Sequence, residues 1–253
     1  MVSGINIEIL VVGIGGTGGT YLKELARFIY SLPDEARDRV HVSIVDGDRV
    51  EKRNIGRQPF IVEDIGEYKT LAMHEAIEEV FGFKVYAFPE YIKSTQDIQK
   101  MWYSSQSNLP YDYKKQKTLY VLVGCVDNHH ARKVMHDYFV KHPAEIANLI
   151  YLDSANEYSV GEVVIAVKNK RTVVAPDRKH YYPNIFKGPL KSASELSCLE
   201  INEIAPQHIV TNMMAANILL SQTVMLFEGQ VNGGIVLFDA LKAMSRYQPY
   251  EKN

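Results

Sequence analysis

Val11-Val12-Gly13-Ile14-Gly15-Gly16-Thr17-Gly18-Gly19 decides how this chain is read. The stretch closes an apolar run from Ile7 to Val12 and passes through glycines into a helical segment from about Thr17. Strand, glycine turn and helix in that order present backbone N–H groups and a helix N-terminus to an anion, and a side chain in the turn would hold a phosphate off the main chain. Gly13, Gly15, Gly16, Gly18 and Gly19 are therefore candidate nucleotide-binding positions. Taken alone, the same loop also fits a tight packing turn.

The residues that follow narrow the choice. A second apolar run, Val40 to Val45, ends at Asp46-Gly47-Asp48, where the Asp46 carboxylate can accept hydrogen bonds from ribose hydroxyls with Asp48 beside it. A nicotinamide dinucleotide would fit equally well up to this point. It has no use for Asn54 with Arg57 in Asn54-Ile55-Gly56-Arg57-Gln58, or for Lys69, which are suited to neutralising β- and γ-phosphates as pyrophosphate leaves. Nor does it need Asp127, in Cys125-Val126-Asp127-Asn128 just past the run Thr118 to Gly124, with Arg132 following. A carboxylate there can hold Mg²⁺, which prefers one or two carboxylates plus phosphate oxygens. The set describes ATP with Mg²⁺ at an adenylation site, with Arg57, Lys69 and Asp127 as catalytic candidates, Asn54 and Asn128 beside the nucleotide, and Asp127 as the metal ligand. The plain structural readings are strand-end turns for Asp46 and Asp48, a solvated face for Arg57 and Lys69, and a helix N-cap for Asp127-Asn128. His129 and His130 are consecutive on a predicted helix and point about 100° apart, which suits surface or phosphate-edge groups better than a metal pair.

Strands are expected at about 7–12, 40–45, 84–88, 118–124 and 148–153, alternating with helices at about 17–31, 66–81, 95–104 and 128–140. That alternation predicts an α/β fold with a doubly wound, mostly parallel, Rossmann-like sheet and right-handed crossovers. Gly161 to Lys168 and Ile235 to Asp239 read as further strands around a long apolar helix from about Pro206 to Phe227, forming a C-terminal antiparallel annex. Tyr103 to Lys117, rich in Ser, Tyr, Lys and Pro, reads as an exposed loop. One domain is expected over 1–253, with a nucleotide-binding half at 1–155 and a carrier-binding half at 156–253 that includes a crossover loop at about 169–204.

The blocks VVGIGGTGG (11–19), VDGDRVEKRNIGRQ (45–58), Lys69, GCVDNHHAR (124–132), SCLEINEIAP (197–206) and GGIVLFDAL (233–241) resemble the E1-like activating family, the group of ThiF, MoeB and ubiquitin-activating enzymes. The compact form is similar to ThiF-like proteins of bacterial plasmid and mobile-element operons. The resemblance implies that Asp46 binds ribose, that Asn54, Arg57 and Lys69 bind phosphates, and that Asp127 holds the metal. It also implies the reaction, attack of the C-terminal glycine carboxylate of a ubiquitin-like or sulfur-carrier protein on the α-phosphate of ATP. A downstream E2-like or sulfurtransferase partner and a homodimer would follow from family habit. Relatives often carry an arginine ahead of the first strand that reaches the partner's ATP; here the strand opens almost at once, so that arginine is missing or comes from elsewhere. Many relatives also hold zinc between two Cys-x-x-Cys pairs, but Cys125 and Cys198 are the only cysteines, so no zinc is expected.

In relatives a cysteine near Cys198 takes the acyl group from the adenylate as a thioester or persulfide, and Lys187, Lys191 and His180 could favour its thiolate. The alternative is a small buried hydrophobe, with Ser194 and Ser197 as possible oxygen nucleophiles; Cys125 reads as packing. A net charge of −2 over 253 residues gives no basic field for nucleic acid or membrane. Two distant cysteines and no expected span of 18 apolar residues point to the cytoplasm. Two rival readings remain, adenylation without a thioester, on a peptide or tRNA base, and an NAD-dependent oxidoreductase; a non-catalytic binding module fits less of the ATP set.

Overall fold

The computed structural model describes residues 4–106, 117–141, 148–188 and 207–252. Five strands, β1 (Ile5–Val12), β2 (Val40–Val45), β3 (Val85–Phe88), β4 (Lys117–Gly124) and β5 (Asn148–Asn156), pair in parallel in the order β3-β2-β1-β4-β5. Between them run α1 (Gly16–Tyr30), the single turn α2 (Asp34–Arg37), α3 (Lys69–Phe81), α4 (Thr95–Gln106) and α5 (His129–Lys141). The central strand β1 is buried along all but its first residue, as expected of a parallel strand covered by helices on both faces. Alternation along it divides the core. Ile9 and Val11 pack with Leu22 and Leu25 of α1 on one side, whereas Leu10 and Val12 pack with Trp102 of α4 and Met135 of α5 on the other.

Beyond β5 the sheet turns antiparallel. β6 (Val160–Asn169) pairs with β5, β8 (Gly234–Asp239) with β6, and β9 (Met244–Pro249) with β8, while β7 (Thr172–Ala175) pairs with β6 alongside. The parallel sheet and its annex are thus continuous, and β5 runs through the expected boundary between 155 and 156. The structure adds β7 and a single turn, α6 (Arg178–Tyr181), inside the stretch read as a crossover loop, and adds β9 at the edge. β9 is exposed at nearly every position and lacks an apolar alternation, so no periodicity marks it as a strand; hairpin pairing with β8 makes it one. α3 begins at Lys69 rather than near 66 because Arg49 and Tyr68 form an antiparallel bridge and Val50 N–H donates to Glu67 O at 2.8 Å.

The last helix, α7 (Ile209–Phe227), corrects one expectation. It is long and apolar enough to cross a membrane by length and composition, with a mean hydropathy of 1.4 over its best window. Thr211, Ala215, Ala216, Leu219, Thr223 and Leu226 are nonetheless buried, and the helix packs on α1, β5 and β6. Tyr21 of α1 and Thr223 of α7 share a hydrogen bond of 2.9 Å in that interface.

His41, in β2, is half-buried, and burial pulls its imidazole from 6.5 down to about 4, with Asp38 opposing. The unfolded chain therefore takes up a proton between pH 6.5 and 4 that the folded chain does not, so stability falls as pH drops through that window. Urea denaturation is expected to show about 1 kcal/mol less stability at pH 5 than at pH 7 from this group, after allowing for its partial exposure. His41→Asn should flatten that slope.

Candidate active site

The strand order reverses between β1 and β4, so a crevice opens at their carboxyl ends, where α/β sheets bind ligands. Gly13 N–H donates to Val45 O at 2.9 Å and Cys125 N–H to Val12 O at 2.8 Å, fastening three strand ends around the glycine loop. Gly13 has a φ of +89°, and a Cβ there would lie 2.8 Å from the Cys125 carbonyl oxygen. A Cβ at Gly18 would lie 1.9 Å from the Gly13 carbonyl oxygen, so this glycine sets the close approach of α1 to the loop. At Gly16 and Gly19 the obstructions are the Asn212 amide at 2.3 Å and the Pro59 ring at 2.8 Å. Gly15 differs, since its Cβ would meet only Gln58 Nε2 at 3.9 Å. Gly15 is also the N-cap of α1; no side chain caps that end and its first turn carries no acid. The N-terminal N–H groups are left for an anion.

This division gives a paired prediction. Gly18→Ala gains up to about 1 kcal/mol of helix propensity but faces overpacking of about 1–3 kcal/mol or more against the backbone, so it is expected to destabilise. Gly15→Ala should leave the denaturation midpoint nearly unchanged while weakening nucleotide binding. The reverse pattern would show that Gly15, not Gly18, is the packing glycine.

Asp46 accepts hydrogen bonds from Ile14 N–H at 2.6 Å and Asp48 N–H at 2.8 Å, so its carboxylate ties the glycine loop to the end of β2. Burial raises its pKa and the Lys69 charge opposes that rise. Each of its oxygens keeps a lone pair for a ribose hydroxyl. Asp48 is held by Lys69 Nζ at 2.8 Å and by the Tyr91 hydroxyl. Burial would raise the pKa of Asp48, but the Lys69 charge and both hydrogen bonds outweigh it and hold the acid below its usual range. Lys69 is itself buried; desolvation works against its charge, and Asp46, Asp48 and Asp127 together raise its pKa, so the ammonium persists. The Tyr91 ring lies against Gly47, where a Cβ would be 2.6 Å away.

Asp127 is exposed and makes no hydrogen bond or ion pair among the described residues, yet its charge reaches Lys69, Tyr91 and Arg132. Asp127 therefore lies near enough to Lys69 for the two charges to interact. Arg57 approaches the glycine loop through its backbone. Its carbonyl oxygen would lie 3.5 Å from a Cβ on Gly16, whereas its exposed guanidinium donates from Nε to Arg53 O at 3.1 Å. Of the arginines in this turn, Arg53 is the one whose charge bears on Asp48. Asn54 is buried, and its Oδ1 accepts Glu51 N–H at 2.8 Å, capping the single 3₁₀ turn Lys52–Asn54. Asn128 is likewise committed, its Oδ1 accepting Ala131 N–H at 2.8 Å as the cap of α5. In this conformation the Arg57 guanidinium folds back on its own turn, and the Asn54 and Asn128 amide oxygens serve as caps, which does not use the Nδ2 donors of either amide.

Asp127 supplies one carboxylate, and among the described residues no three His, Cys, Asp or Glu side chains gather as a metal cage. That donor set fits Mg²⁺ held mainly by phosphate oxygens and does not fit an ion held by protein alone. The Cys125 thiol is pushed up by burial, as befits a packing residue under the glycine loop. Cys198, Ser194, Ser197 and Lys191, and with them the block 197–206, lie outside the described residues.

Several further residues join the site from outside the motifs. Asn212 of α7 accepts from Thr17 Oγ1 at 3.0 Å, and Asn156 Nδ2 donates to the same Thr17 oxygen at 2.8 Å, joining both halves of the sheet to the start of α1. Asp153, inside β5 and level with the end of β4, sits between Arg132 Nε at 3.0 Å and Arg178 Nε at 2.5 Å, with all three side chains buried. Its acid should be raised by burial, but the Arg178 and Arg132 charges outweigh that and keep it ionised. An Asp closing an apolar run, the same pattern that singles out Asp46, marks Asp153 in the sequence.

Set against known proteins, residues 5–252 match the ThiF family model. Selenomethionine PaaA aligns with a TM-score of 0.60 at 17% identity, over 96% of this chain and 63% of its own. E. coli MccB with AMPCPP and MccA aligns at 0.62 with 13% identity, over 96% and 63%. E. coli MccB with ATP aligns at 0.59 with 14% identity, over the same shares. The chain spans less than two thirds of these structures, and at such identities the likeness is one of fold. No curated protein matches in sequence.

Proposed function

Because the chain belongs to the ThiF family, we propose that it is an ATP-dependent adenylating enzyme acting on the C-terminal carboxylate of a carrier, a ubiquitin-like or sulfur-carrier protein ending in glycine. The observation that carries this reading is the buried Lys69 ammonium held on Asp48, next to the Asp46 carboxylate that ties the glycine loop, with the Asp127 charge near enough to bear on it. A nicotinamide dinucleotide needs neither the Lys69 nor the Asp127 charge there.

The α1 N-terminus and the loop N–H groups would receive the phosphates, with Asp46 at the ribose. Lys69, released in part from Asp48, would place its ammonium on the phosphate oxygens that gain charge as the leaving group departs. Asp127 would hold Mg²⁺, which supplies charge neutralisation on the triphosphate when bound. A carrier carboxylate oxygen attacks the α-phosphorus, the bond to the bridging oxygen breaks, pyrophosphate leaves and an acyl adenylate remains. No proton need move in that step. Residues 156–253 would seat the carrier, two copies would pair as a homodimer, and Cys198 would attack the acyl carbon as thiolate, forming a thioester and releasing AMP. An E2-like thiol would take the acyl group onward by thioester exchange, or a sulfurtransferase would deliver persulfide sulfur to the activated carrier.

Isotope exchange between pyrophosphate and ATP tests the two steps apart. Exchange should depend on a carrier ending in glycine, and Cys198→Ala should keep exchange while removing only the covalent carrier adduct seen by mass. If no small protein ending in glycine supports exchange, the proposal fails; if Cys198→Ala also loses exchange, the division of roles is wrong.

A further inference from the structure

Beside the nucleotide crevice, at the carboxyl ends of β4 and β5, lies a second cleft of about 520 Å³. Its floor includes His129, Arg132 and Arg178, and its wall is Tyr181, Tyr182 and Ile185. The wall is anchored from behind. His136 pairs with Asp177, the Phe186 ring lies 5.2 Å from the His136 ring, and Arg178 holds Asp153. The cleft is therefore present before any ligand arrives.

Among the described residues two polar groups in it are left over, the buried Tyr181 hydroxyl and one nitrogen of Arg132. The Arg132 side chain is only 5% exposed. Its Nε binds Asp153, and its Nη2 binds the Val126 and Ser154 carbonyl oxygens at 2.7 and 3.0 Å. Its Nη1 has no partner among the described residues. A buried guanidinium with two N–H groups to spare is built to receive a carbonyl or carboxylate oxygen. The bond to Val126 O also places that guanidinium one residue from Asp127, where the α-phosphate chemistry would take place. Arg132 and Arg178 are balanced nearby by Asp153 and Glu162, and His129 is held below its usual range by burial and by both guanidiniums, so the cleft carries no excess of positive charge. Its wall is aromatic and aliphatic. A tail of two glycines would leave most of this volume to water.

We infer that this cleft binds the last residues of the carrier, with the terminal carboxylate end at Arg132 and a bulky apolar side chain just before it against Tyr181, Tyr182 and Ile185. The substrate class is a C-terminal segment with a large hydrophobic residue next to its terminal glycine, and a diglycine tail is the poorer ligand. This rests on the adenylation reading, because it supposes that a carboxylate must be delivered to the crevice.

The test uses octapeptide free acids identical except for endings in Phe-Gly, Leu-Gly or Gly-Gly, titrated onto the whole chain without nucleotide by calorimetry. Burying a Phe or Leu side chain should make the first two bind at least about tenfold tighter than the third. The Phe-Gly peptide with an amidated C-terminus should bind more weakly than its acid. Arg132 is a core residue whose loss can unfold the protein, so the variant is Ile185→Trp, which fills the cleft and should abolish the preference. Equal affinities, no binding by any peptide, or a preference that survives Ile185→Trp would overturn the inference. Thermal stabilisation of the wild-type chain by ATP with Mg²⁺ is measured alongside: its absence would sink the adenylation reading, whereas its presence without a peptide preference would sink this inference alone.

Discussion

Asp153→Ala is expected to lower the unfolding free energy by about 3–5 kcal/mol, because it strands two buried guanidiniums without their shared carboxylate. Arg132 and Arg178 are 4% and 2% exposed, so water cannot take over. The pair of ion pairs is not by itself a large net gain, since desolvating three charges offsets most of their attraction. What makes the substitution costly is the asymmetry of removing one member only. Such a loss is a large share of the stability of an ordinary domain, and a shifted denaturant midpoint at unchanged slope would measure it. A change below about 1 kcal/mol would mean that the arginines find water or other partners. Asp153→Asn, which keeps the shape and some hydrogen bonding, should fall between the two.

Asp127→Ala is the converse, a change expected to cost almost no stability and most of the function. Asp127 is exposed and bonds to no described residue, so its removal should move the denaturation midpoint by less than about 0.5 kcal/mol. Affinity for ATP in the presence of Mg²⁺ should fall at least about a hundredfold, in line with several kcal/mol from a metal shared with phosphate. With the metal chelated the order should invert, because the variant lacks a negative charge beside the triphosphate. Titration calorimetry in magnesium and in EDTA checks both arms. If wild type and variant respond alike to magnesium, Asp127 is not the metal ligand.

Much of the fold could be read because parallel strands buried on both faces show as continuous apolar runs, and the runs that matter here end at or just before a glycine or an acid. Ile7 to Val12 before Gly13, Val40 to Val45 before Asp46, and Thr118 to Gly124 ahead of Asp127 are such cases, and all three run as strands to those ends. β7 and β9 were not legible because edge and hairpin strands depend on a partner rather than on periodicity. The site was legible where a residue type has one use in its position. Gly18 has no room for a methyl group, and Lys69 is buried where the charges of Asp46, Asp48 and Asp127 bear on it. It was not legible where a polar side chain can serve either backbone or ligand. Asn54 and Asn128 carry the amide that either role needs, and the fold uses both for capping. Tyr91 and Asn212 reach the site from segments 43 and 195 residues away from the Asp48 and Thr17 they touch, a proximity that no local pattern encodes.

Thermal unfolding of the wild-type chain with ATP and Mg²⁺, with ATP and EDTA, and with NADH tests the central claim most directly. Ligands that bind only the folded state raise the midpoint with concentration. A crevice built around Lys69 and Asp127 predicts a rise with ATP that depends on Mg²⁺ and no rise with NADH. A rise with NADH, or none with ATP in magnesium, would contradict it.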